Sequence, residues 1–126
     1  MKHLLAVMTD LFFAAKIGDI AKKHGMTAEF TGDYESALRK IKARPAVVIF
    51  DLNSKSANPP GLIEALKSDP ETNQIQAIGF VSHVQTEVRR QAEESGCDFV
   101  FARSVFAQKL DEILSRYATS ETSSHS

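Results

Sequence analysis

Residues 46–51, Ala46-Val47-Val48-Ile49-Phe50-Asp51, decide the fold. Five apolar residues in unbroken succession read as a buried parallel strand, covered on both faces. The carboxylate that closes the run stands at a strand's carboxyl end, where open α/β sheets place their chemistry. Asp10 stands the same way after His3-Leu4-Leu5-Ala6-Val7-Met8. Two acids at two strand ends imply an acidic pocket rather than scattered surface charge.

On either side of this run, strand-like and helix-like segments alternate five times. Strands are expected over 3–8, 26–30, 46–50, 75–81 and 98–102. Helical stripes lie between and after them. Phe13, Ile17, Ile20, Ala21 and His24 share one face. Tyr34, Ala37, Leu38 and Ile41 share another, and Phe106, Leu110, Ile113, Leu114 and Tyr117 form the last. The helix around 86–95 has the weakest stripe, with Val88 and Ala92 as its apolar residues.

Local punctuation agrees with this division. Gly25 and Gly96 fall where the first and fourth helices should end in a left-handed residue. Asp33 and Ser104 are placed to cap the second and fifth helices, and Asp10 the first. Pro59 and Pro60 suit the start of the third, because proline has no amide hydrogen to lose there. Repeated β-α units imply a parallel sheet with right-handed crossovers and helices on both faces. The expected fold is one doubly wound α/β domain over residues 1–117. Residues 118–126 lack apolar content and are expected to form a disordered tail.

The bulk numbers narrow the function classes. The chain has 126 residues, 43% hydrophobic and 25% charged, which suits one globular domain. A formal net charge of -1 offers no electrostatic case for nucleic acid or an anionic membrane. The cluster Arg39, Lys40, Lys42 and Arg44 is expected to be a solvated face of the second helix. One cysteine, Cys97, allows no internal disulfide and reads as a packed small hydrophobe in a reducing cytoplasm. No apolar stretch is long enough to span a bilayer, and no signal-peptide pattern follows Met1. There is no glycine-rich phosphate loop and no hydrolase elbow.

If the strand order is 2-1-3-4-5, the chain reverses between the first and third strands, and Asp10 and Asp51 flank the crevice. Ser82 and Arg103 follow the fourth and fifth strands and should converge on the same edge. Paired carboxylates there suit a hard cation such as Mg²⁺. A hydroxyl and a cation on neighbouring loops suit a phosphoryl group.

With these residues the chain resembles the receiver domain of bacterial response regulators, over residues 3 to about 117. The carriers are Asp10, Asp51 in Ile49-Phe50-Asp51-Leu52, Ser82 in Phe80-Val81-Ser82-His83, and Arg103 in Phe101-Ala102-Arg103-Ser104. The resemblance implies a cytoplasmic signalling module with a histidine kinase or another signalling protein as partner. It implies phosphoryl transfer to Asp51, Mg²⁺ at Asp10, Asp51 and a loop carbonyl at Asn53, and phosphoryl contacts from Ser82 and Arg103. It also implies output through the last helix, fifth strand and fourth helix; with no output domain following, that output would act in trans.

The departures are specific. Thr9-Asp10 supplies one acid where receivers carry two. Arg103-Ser104 stands where they carry Lys-Pro, and His83 takes the position of a small residue, where it would be a gate or an idle loop residue. The aromatic switch position falls near Val100, and the loop after Asp51, running through Asn53-Ser54-Lys55-Ser56-Ala57-Asn58-Pro59-Pro60-Gly61, is longer and lacks the usual pattern. With one acid missing, Mg²⁺ binding is expected to be millimolar or absent. Arg103 then has two readings: a replacement for the lysine, or a permanent salt bridge to Asp51 or Asp10. The second gives a phosphorylation-independent scaffold. A small flavodoxin-like ligand binder or enzyme is the third reading. Phe12 and Phe13 are expected in the core, with Phe12 turned away from the Phe13 stripe.

Overall fold

A computed structural model describes residues 2–82 and 86–123, with side chains through 118. Among these residues, five strands alternate with five helices. They are β1 (His3–Val7), α1 (Leu11–Lys23), β2 (Thr27–Thr31), α2 (Tyr34–Ile41), β3 (Val47–Asp51), α3 (Pro59–Ser68), β4 (Gln76–Val81), α4 (Thr86–Ser95), β5 (Phe99–Ala102) and α5 (Arg103–Ser123). A short 3-10 turn at Lys55–Ala57 precedes α3. All strand pairings are parallel, in the order β2-β1-β3-β4-β5.

Alternate residues of the central strands feed two cores. Leu5, Val7, Val48, Phe50, Ala77 and Val81 face α2, α3 and α4, where Ala37, Ile41, Leu62, Leu66 and Ala92 meet them. Leu4, Ala6, Val47, Ile49, Ile78 and Phe80 face α1 and α5, meeting Phe13, Ile17, Phe106, Leu110 and Leu114. Covering both faces explains why these strands are apolar without alternation. Each fully buried large side chain contributes about 1.5–3 kcal/mol, more than any exposed ion pair on the surface.

The helix ends follow the chemistry read from the sequence. Gly25 and Gly96 have φ of 74° and 109°, which a side chain would oppose. Asp33 accepts from the Ser36 amide at 2.9 Å, and Pro59 and Pro60 open α3. Val88 and Ala92 do face the core, as the weak α4 stripe predicts.

Four expectations are corrected. β5 runs straight into α5 without a connecting residue, so Arg103 opens the helix and Ser104 lies inside its first turn. α5 continues to Ser123, past the expected end at 117, because no glycine or proline interrupts it and Ala118 still packs on the core. Lys42 and Arg44 lie beyond α2, and Arg44 adopts a φ of 58° in the turn to β3. Phe12 is 91% exposed rather than part of the core. No helix among the described residues is long and apolar enough to cross a membrane.

Candidate functional site

The parallel sheet gathers the four expected residues on its carboxyl edge. Asp10 follows β1, Asp51 is the last residue of β3, Ser82 follows β4, and Arg103 follows β5. β1 and β3 are neighbours, with Val7 opposite Phe50, so Asp10 and Asp51 flank the crevice where the chain reverses.

Both oxygens of Asp10 are engaged. Its Oδ1 accepts from the Phe12 and Phe13 amides at 3.0 and 3.1 Å, capping α1. Its Oδ2 accepts from Arg103 Nη2 in a part-buried ion pair. The Arg103 hydrogen bond holds the Asp10 carboxyl below the usual carboxylate range, helped by the helix amide of Phe13. The guanidinium also lies over the Phe13 ring, 4.6 Å from its centroid, which is cation–π geometry. Phe13 in turn meets Phe80 edge-on at 5.1 Å and Phe106 at 5.9 Å. The arginine is thereby fixed by a carboxylate on one side and a packed aromatic cluster on the other.

Asp51 is held more loosely. Its Oδ1 accepts from the Asn53 amide at 3.0 Å. Its Oδ2 has no hydrogen-bond partner among the described residues. Burial pushes this carboxyl above the usual range, and the nearby Asp10 charge adds to the effect. The Asn53 amide and the Arg103 charge oppose it without cancelling it. One acid of the pair is therefore firmly ionised, and the other is the more easily protonated.

Asn53 has a role that sequence reasoning missed. Its side-chain oxygen accepts from both the amide and the hydroxyl of Ser82, each at 2.9 Å. This bridge ties the loop after β3 to the loop after β4 and engages the hydroxyl expected to contact a phosphoryl group. Phe13 was also missed as the platform under Arg103. Its apolar stripe predicted burial, which is correct, but gave no sign that the ring would face a cation. His83 lies outside the described residues.

Mg²⁺ asks for one or two carboxylates, with water and other oxygen donors around them. Asp10 has given one oxygen to the cap and the other to Arg103, and the Asn53 side chain is turned to Ser82. A cation would have to displace the guanidinium from Asp10 or rest on Asp51 and a backbone carbonyl of the Asn53 loop. The described residues contain no group of three or more His, Cys, Asp or Glu able to hold a metal. The residues fit a divalent cation poorly while Arg103 holds Asp10.

No protein-family model matches the chain, and no curated protein sequence matches it. Solved structures do. A response regulator from Hahella chejuensis is 20% identical with a TM-score of 0.81, covering 93% of this chain and 95% of its own. A receiver domain from Rhodospirillum rubrum is 15% identical with a TM-score of 0.76, covering 93% and 94%. The receiver domain of a sensor histidine kinase from Pseudomonas aeruginosa PAO1 is 14% identical with a TM-score of 0.79, covering 93% and 97%. The chain has the receiver fold. That last structure has a magnesium ion coordinated in its active-site cleft. In the present chain the crevice at the carboxyl edge of the sheet holds an arginine on the acid that follows β1.

Proposed function

We propose that this chain is a receiver-like signalling module that acts through protein contacts, with a crevice set by the Asp10–Arg103 pair rather than by Mg²⁺-dependent phosphorylation. One observation carries the reading. The guanidinium of Arg103 occupies the free oxygen of Asp10 and is braced by Phe13, so a cation supplied by the chain itself neutralises the acid that a metal would need. The bridge from Asn53 to Ser82 supports the same reading, because it satisfies the hydroxyl internally. Two-component partners such as a histidine kinase are the class that the fold suggests.

The second reading is phosphorylation of Asp51, favoured by its Oδ2, which has no hydrogen-bond partner among the described residues. Incubation with Mg²⁺ and acetyl phosphate, followed by intact-mass measurement, separates the two. The expected result is no phosphoryl adduct. An adduct that disappears in Asp51→Asn overturns the first reading and establishes the second.

A further inference from the structure

The two edges of the sheet are treated differently. At β5, Arg89 of α4 reaches across and donates to the Val100 carbonyl at 2.9 Å, so a side chain blunts that edge. At β2 no described side chain bonds the backbone of Ala28 or Phe30 in this way. The Thr27 amide donates to the Lys2 carbonyl and the Thr31 carbonyl accepts from the Met8 amide, which turns residues 27 and 31 inward to β1. By alternation, Ala28 and Phe30 direct their amides and carbonyls outward. The strand Thr27-Ala28-Glu29-Phe30-Thr31 contains no proline and no lysine, and its single charge is matched by Lys40 of α2 at 3.3 Å. Phe30 is 36% exposed and lies over Gly18, whose missing side chain helps open a 420 Å³ groove between α1 and β2. Lys22, Met26 and Ala28 line the same groove.

We infer that β2 is a self-association edge, to which a second copy of this chain adds its own β2 antiparallel across a two-fold axis. The residue pattern is complementary to itself. Centred on Glu29, the pairing sets Ala28 opposite Phe30 twice. The outward amides and carbonyls of these residues then exchange four hydrogen bonds. On the α1 face each Phe30 meets the small Ala28 of the other copy beside the groove over Gly18. On the α2 face Thr27 meets Thr31, a favourable cross-strand pair. The two central glutamates would repel, and the Lys40 of each copy interleaves with them to give alternating charges. Isologous pairing of this kind closes on itself and does not propagate into fibres.

Sedimentation velocity over a concentration series tests this directly. The expected result is a monomer–dimer equilibrium that Phe30→Lys abolishes and Glu29→Gln tightens. A Glu29→Cys variant, with the new thiol on the two-fold axis, should form an intermolecular disulfide under mild oxidation. Circular dichroism melts of each variant establish that the fold persists. A native protein that stays monomeric throughout overturns the inference. A dimer that survives Phe30→Lys and yields no Glu29→Cys cross-link does so too, because the contact then lies elsewhere. Neither result depends on whether Asp51 accepts a phosphoryl group.

Discussion

At the scale of single residues, the two acids of the crevice pull stability in opposite directions. Asp10 is held below the usual carboxylate range by Arg103, so its contribution is complete above the ordinary pKa and fades as pH falls through the lowered one. Asp51 is raised by burial, so its ionisation at neutral pH costs stability, and the cost disappears on acidification. Asp10→Asn keeps a good helix cap and loses only the charge. It is expected to lower the urea midpoint at neutral pH, and Asp51→Asn to raise it. Both differences should shrink as the pH approaches about 3, below the ordinary aspartate pKa. Urea titrations of the three proteins across that range give the answer, and two variants shifting the same way at neutral pH would contradict it. Much of this was legible in the sequence. A strand-end aspartate just before an apolar helical stripe signals both a crevice and a cap. The choice of Asp10 over Asp51 as the arginine's partner was left open, and it depends on the guanidinium settling over Phe13. The Asn53–Ser82 bridge was not legible, because it joins two loops whose conformations no local pattern specifies.

At the scale of elements, the edge opposite the crevice carries its own fastening. Lys67, near the end of α3, donates to the Ile75 carbonyl at 2.8 Å and pairs with Asp98 at 2.8 Å. The same Asp98 oxygen accepts from the Ala77 amide at 2.8 Å, so α3, the start of β4 and the start of β5 meet on one cation. Gly96 is part of this arrangement. A Cβ added there would lie 3.0 Å from Lys67 Cγ, on a backbone whose φ of 109° already disfavours side chains. Lys67→Met keeps the apolar stem and removes the charge, leaving a partly buried carbonyl and carboxylate short of a donor. The expected loss is about 1–3 kcal/mol. A double-mutant cycle with Asp98→Asn should show a coupling above about 0.5 kcal/mol, whereas additive losses would mean that the two side chains act independently. Glycine, proline and capping aspartate marked most element ends, because each acts through chemistry within a few residues. The start of α5 escaped that reading because its strand turns directly into a helix. Its continuation to Ser123 escaped because composition alone does not stop a helix that has no breaker.

At the scale of the whole molecule, the two-sided core made the fold legible. Strands apolar without alternation demand helices on both faces, and that demand almost fixes a parallel sheet. The strand order followed from the receiver resemblance rather than from any local pattern. Cys97 reports how firmly this sheet is closed. It sits in the core under β4 and β5, with Sγ 3.5 Å from the Ala77 carbonyl and 3.2 Å from that of Phe99. Burial pushes its thiol from 9.0 up to about 11. Because the folded value is the higher one, the native state holds this proton more tightly than the unfolded chain does. Its contribution is therefore complete below pH 9.0 and is lost as the pH climbs towards about 11. Across that window the native protein should lose about 2 kcal/mol that Cys97→Ala does not lose. Other groups that titrate in alkali, including the raised Tyr117, are present in both proteins and cancel in the difference. Cys97→Ala also opens a small cavity, but that offset is constant with pH. Urea unfolding of both proteins at neutral pH and at the alkaline end of the window measures the change. An unchanged gap would mean that the thiol reaches solvent while the sheet is still folded, and that the β4–β5 side is looser than its packing indicates.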